Sequence, residues 1–141
     1  MNLTAKKLID YKNKQGEVWY KGWRLVNVDT GKAVGMMAYN SYHETQFNVQ
    51  IYSPVHEDLG PVGCKAFATG LEALIWAREQ IEQLQEPTVA DYEAAIHKVR
   101  DYRYQDSVSD DFAYSNGKID RWDRIERQLK DRMHGLTPSA I

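Results

Sequence analysis

The sequence predicts an α+β fold: a small antiparallel three-stranded sheet with one packed helix, followed by a two-helix C-terminal extension. Three observations predict it. β-Branched and aromatic residues concentrate between positions 18 and 52, where Asp29-Thr30-Gly31-Lys32 interrupts them as a turn. Thr69 followed by Glu72 is a helix-start signature ahead of an apolar stripe. Past Glu86-Pro87, two further stretches carry apolar residues at helical spacing.

Each element follows from its own residues. Positions 4–11 set Leu8, Ile9 and Tyr11 among lysines and read as one or two helical turns, ended by Lys14-Gln15-Gly16. Residues 18–28 form the first strand, through Trp19, Tyr20, Trp23, Leu25, Val26 and Val28. Gly31 can take the positive φ that closes a hairpin, and residues 33–42 return as the second strand. Residues 46–52 alternate strictly, with Phe47, Val49 and Ile51 on one face and Asn48, Gln50 and Tyr52 on the other. Residues 54–63, with two prolines and two glycines, read as a loop. The capping box of Thr69 and Glu72 opens a helix whose inward stripe is Leu71, Leu74, Ile75, Ile81 and Leu84. Thr88 caps a second helix with Tyr92, Ala95, Ile96 and Val99 inward. Residues 105–117, rich in Asp and Ser, read as a breaker. Residues 118–133 make a third helix with Ile119, Trp122, Ile125, Leu129 and Met133 inward, ended by Gly135 and Pro138. The sheet domain, in the order α-β-β-β-α, is therefore read over residues 1–86. The C-terminal helical hairpin spans 87–141, packed on the same domain or forming an interface between copies.

Composition narrows the function classes. The chain has 141 residues, 43% hydrophobic and 27% charged, with a formal net charge of −2. That is a globular composition, and it excludes an extreme polycation or polyanion. Trp and Tyr are abundant, four and nine against three Phe, and both serve binding faces as readily as cores. The lone Cys64 offers no intrachain disulfide and no pair of metal ligands, which fits a reducing compartment. Residues 1–14 hold four lysines without an apolar run after them, unlike a signal peptide. Nothing approaches the roughly 20 apolar residues of a membrane span. A soluble, cytoplasmic protein is expected.

No motif specifies a reaction, and the expectation is a non-enzymatic protein with no catalytic residues, no cofactor and no metal. Asp101, Asp106, Asp110 and Asp111 could hold a hard cation such as Mg²⁺ for phosphoryl transfer. Asp110-Asp111 equally suits a helix start, and that reading is favoured. His43, His56, His97 and His134 lie in separate elements without ligand spacing. His56-Glu57-Asp58 sets a base beside carboxylates, but adjacent side chains diverge too far for a relay.

The third helix carries Arg121, Arg124 and Arg127 at successive steps of three, a stripe able to clamp phosphates. Asp120, Asp123, Glu126 and Asp131 interleave with it, so ordinary surface ion pairs are the favoured reading. Tyr102, Arg103 and Tyr104 close the second helix, and Phe112, Tyr114 and Asn116 precede the third. In a helical hairpin these meet near Arg121 and Arg124. The candidate ligand-binding set is accordingly Tyr102, Arg103, Phe112, Tyr114, Asn116, Arg121 and Arg124, suited to stacking a base and neutralising phosphate. A second, partner-binding set is Trp19, Trp23 and Arg24, of which strand alternation turns about half inward.

Two resemblances follow from these residues. The order helix, three strands, helix over residues 4–84 is similar to a double-stranded-RNA-binding domain. That family's phosphate-holding lysine cluster is replaced here by Gly63-Cys64-Lys65-Ala66-Phe67, with one lysine. Residues 101–125, with Asp101-Tyr102-Arg103-Tyr104, Ser109-Asp110-Asp111, Gly117 and Arg124-Ile125, resemble segments of small phage-encoded accessory proteins. The size and order, a compact sheet and then two C-terminal helices, also resemble the Thoeris anti-defence 1 proteins. That likeness is architectural and carries no residue-by-residue correspondence. It implies an oligomeric sponge that sequesters a small cyclic nucleotide signal without cleaving it, against host defence. The alternatives are an inhibitor that holds a defence protein or its nucleic acid on an aromatic sheet face, and a small metal-dependent phosphoryl-transfer enzyme using Asp106, Asp110 and Asp111. Nucleic acid is the less favoured partner, no membrane is expected, and a homo-oligomer is.

Overall fold

The computed structural model describes residues 2–108 and 112–136, with side chains described outside 112–116. Among the described residues there are five strands, β1 (Leu3–Lys12), β2 (Val18–Asn27), β3 (Lys32–Asn40), β4 (Phe47–Tyr52) and β5 (Pro61–Phe67). Three helices follow, α1 (Gly70–Gln83), α2 (Val89–Ser107) and α3 (Phe112–Leu136). The strands form one antiparallel meander in the order β1-β2-β3-β4-β5. The class is α+β, but the expected three-stranded sheet is a five-stranded one.

Two strands account for the difference. Residues 4–11, expected to be helical, lie in β1 and pair with β2 along its length. The ladder skips Leu8 between the pairs Lys7↔Trp23 and Ile9↔Gly22, so the apolar residues lose the period of two that marks a strand. Part of the expected loop at 54–63 belongs to β5, an edge strand that opens on Pro61, where a missing N–H costs no ladder bond. Because the first element is a strand, the α-β-β-β-α order shared with double-stranded-RNA-binding domains does not hold.

The interior of the sheet unit lies on one face. Leu25, Met37, Val49 and Ile51 are buried there against Ala73 and Ala77 of α1, flanked by Trp23, Phe47, Phe67, Leu74, Trp76 and Ile81. The two alanines, one turn apart, let the helix approach the strands closely, and Gly70 brings its first turn onto the Phe47 ring. The expected inward stripe is rotated. Leu74 and Ile81 pack inward, while Leu71 (70% exposed), Ile75 (50%) and Leu84 face outward. At the β2–β3 hairpin Gly31 has φ 71°, and its N–H donates to Asn27 O at 2.7 Å.

The caps differ in completeness. Thr69 Oγ1 accepts from Glu72 N–H at 3.2 Å, half of the anticipated box. Thr88 and Asp91 form both halves, Asp91 N–H to Thr88 Oγ1 at 3.2 Å and Thr88 N–H to Asp91 Oδ2 at 2.8 Å. The expected breaker at 105–117 is much shorter, because α2 continues to Ser107 and α3 begins at Phe112. The chain divides into two compact units, Met1–Gln85 and Glu86–Ile141. No helix among the described residues is long and apolar enough to cross a membrane.

Candidate functional site

In the helical unit, Tyr92, Ile96 and Val99 of α2 and Ile125 and Leu129 of α3 supply the buried stripe. Their spacing leaves the next position around each helix for polar contacts across the seam. Arg100 Nε meets Glu126 Oε1 at 2.6 Å, and Arg103 Nε meets Asp123 Oδ1 at 2.6 Å. One turn further on, the Trp122 indole N–H donates to Asp106 Oδ2 at 2.6 Å, and its ring lies 5.1 Å from that of Tyr102. The partner numbers rise on α2 as they fall on α3, so the helices are antiparallel. Lys130 Nζ adds a second contact to Glu126, at 3.2 Å. Burial opposes ionisation of Glu126, but hydrogen bonds and charge from Arg100 and Lys130 outweigh it and hold its carboxyl below the ordinary value.

These contacts change what the interleaved acids mean. Asp123 and Glu126 stand between the arginines of α3 in sequence, yet both are engaged by arginines of α2. Arg121, Arg124 and Arg127 are exposed, and none has an ion pair among the described residues. Arg121 Cζ sits 5.6 Å from the Trp122 ring centroid, a cation–π contact that holds the guanidinium near the helix surface.

The anticipated ligand set divides accordingly. Arg103 is committed to Asp123, and Tyr102 packs on Trp122. Arg121, held over the Trp122 ring, and Arg124 are without an ion pair among the described residues. The side chains of Phe112, Tyr114 and Asn116 lie outside the described residues. Arg100 and Trp122 organise the seam, and sequence reasoning gave Arg100 no role. Its signal was available: Arg100 and Arg103 are three apart on α2, as Asp123 and Glu126 are on α3.

Asp106 is taken by Trp122, and Asp110 and Asp111 lie outside the described residues. Among the described residues no group of three or more His, Cys, Asp or Glu could hold a metal ion. His56 is buried, with Nδ1 accepting from Asp58 N–H at 3.1 Å, and so serves the loop before β5.

The partner-binding set lies in the sheet unit and also divides. Trp23 borders the core and stacks on Phe47 with ring centroids 6.3 Å apart. Arg24 is exposed on the face away from α1. Trp19 falls at a register shift between Tyr11↔Tyr20 and Lys12↔Val18, which frees it from strict alternation. It joins Tyr11 at 5.9 Å, Tyr20 at 5.8 Å and Tyr42 at 5.7 Å in one aromatic cluster at the end of the sheet. Tyr42 reaches Trp19 because Ser41 N–H donates to Trp19 O at 3.0 Å, continuing the β2–β3 pairing past the end of β3.

Compared with known proteins, the chain matches no family model, and no curated protein or solved structure matches it significantly.

Proposed function

We propose that the protein is a non-catalytic binding protein whose helical unit sequesters a small phosphate-bearing ligand of the cyclic nucleotide type. One observation carries the reading. Asp123 and Glu126, two of the four acids interleaved with the α3 arginines, are engaged by arginines of α2, and among the described residues no ion pair occupies Arg121 or Arg124, which leaves them for an anion. Guanidinium suits that task because it stays charged and offers a planar fork of donors. Tyr102 and Trp122 supply ring surface next to the charge, and a nucleotide joins those two chemistries in one molecule. A single helix face is shallow, so a second copy of the chain would complete the pocket, and the proposed assembly is a homo-oligomer. The architectural likeness to the sponge family makes interference with a host defence signal the proposed setting.

Thermal-shift measurements on the full chain with a panel of cyclic mono-, di- and ADP-ribose-type nucleotides test this. A ligand at about 100 times its Kd stabilises the folded state by ~2.7 kcal/mol. The expected result is stabilisation by at least one of them, lost in an Arg121→Ala/Arg124→Ala double variant, with the nucleotide recovered intact. No stabilisation by any member near 1 mM, a concentration about 100-fold above a 10 μM Kd, overturns the proposal.

A further inference from the structure

The face of the sheet away from α1 carries a second feature, independent of the helical unit. Register places Gly22, Ala38, Asn48 and Ala66 in one row across β2 to β5. Three of the four have a methyl group or less, so the row is a depression. It is closed on the β1 side, because a Cβ on Gly22 would lie 2.9 Å from Ile9 Cγ2 and the Tyr20 ring flanks the same spot. What stays open is a cleft of about 460 Å³ with Ala38, Asn48 and Ala66 as its floor. Tyr20 and Asn40 form one wall, and the turn from His43 to Gln46 closes the end.

The chemistry of that lining is selective. It contains no Lys or Arg, and the carboxylate it does contain, Glu44, repels a phosphate or carboxylate. It contains three carboxamides, each with one end already engaged. Asn40 Oδ1 accepts from Tyr42 N–H at 3.0 Å, Gln46 Nε2 donates to Ser41 O at 3.5 Å, and Asn48 Oδ1 accepts from Cys64 Sγ at 3.5 Å. The free ends are therefore two amide donors, from Asn40 and Asn48, and one acceptor, from Gln46, with the Glu44 carboxylate as a second acceptor. A hydroxyl group donates and accepts at the same atom and matches such a mixed rim. Tyr20 belongs both to the cleft and to the aromatic cluster, so ring surface continues outward through Trp19 and Tyr42, the latter 72% exposed.

We infer that this cleft and its aromatic extension form a binding site for a neutral oligosaccharide. One sugar unit lies on the Ala38–Ala66 floor, with hydroxyls on Asn40, Gln46 and Asn48 and its C–H face against Tyr20. The next unit lies on the Trp19 and Tyr42 rings.

Titration of the full chain with linear neutral oligomers of glucose, galactose, mannose and N-acetylglucosamine tests the site, by calorimetry and by amide chemical shifts. At least one should bind saturably. Asn48→Ala and Tyr20→Ala should each weaken it about tenfold, ~1.4 kcal/mol, with the far-ultraviolet spectrum unchanged. Asn48 is exposed, so its variant reads the site even if the Tyr20 variant fails to fold. Arg121→Ala/Arg124→Ala should bind the sugar as the wild type does, which separates this site from the nucleotide face. The inference is overturned if none binds at about 10 mM, above the millimolar range of weak specific sites. Undiminished affinity in Asn48→Ala, or adenosine and uridine binding in place of the sugars, overturns it as well.

Discussion

Glu126 joins both helices of the C-terminal unit, since Arg100 reaches it across the seam and Lys130 from one turn along α3. Its depressed folded-state pKa fixes the sign of a pH effect. The stabilisation is complete above the carboxyl's ordinary value of 4.5 and is lost as pH falls through the lower folded-state value. A Glu126→Gln variant should melt below the wild type at neutral pH, and the gap should narrow progressively as pH falls below 4.5. A constant gap from neutral to acid would show that the loss comes from packing and not from charge. Individual residues also mark where sequence reasoning stopped. The direction of Asp123 and Glu126 depends on which side of α3 meets α2, and interleaving with arginines suggested contacts along one helix. Alternation alone left open which of Trp19, Trp23 and Arg24 turns inward, and at Trp19 a register shift beside it decides its neighbours.

Among the elements, β4 was the most legible because every second side chain enters the core, and Val49 and Ile51 are buried there. The same strand constrains β3. A Cβ on Gly35 would lie 2.5 Å from the Gln50 carbonyl oxygen, a backbone atom that the pairing holds in place. Gly35→Ala should therefore destabilise the sheet unit by about 1–3 kcal/mol, the usual range for forced overpacking. Urea unfolding checks this through a lower midpoint at unchanged slope. The edge strands were not legible, for a shared physical reason. An edge strand need not alternate apolar and polar residues over its whole length, because helix and core cover little of it. β1 is mostly exposed and lysine-rich, and β5 is mostly exposed and carries Pro61, Gly63 and Lys65. Lysines and a proline at sheet margins discourage pairing with another sheet. They also erase the pattern by which a strand is recognised. In α3 the turn-forming Ser115, Asn116 and Gly117 hid the first turns, which the helix nonetheless includes.

At the scale of the whole molecule, the two units have separate interiors. Leu25, Met37, Val49, Ile51, Ala73 and Ala77 all precede residue 86, whereas Tyr92, Ile96, Val99, Ile125 and Leu129 all follow it. A fragment of residues 1–85 should then fold alone, with the strand signal and a cooperative melting transition. An unfolded fragment would mean that the helical unit supplies part of the sheet's stability. The cleft and its aromatic rim fall within that fragment, while the arginine stripe falls outside it, so the two proposed binding activities should separate on truncation.

The meander has a consequence for how the sheet is assembled. Each strand pairs only with its neighbours in sequence, so every pairing closes a short segment of chain and loses little entropy in doing so. No strand waits for a distant partner. The sheet can therefore form hairpin by hairpin in chain order, since all five strands and α1 precede residue 86.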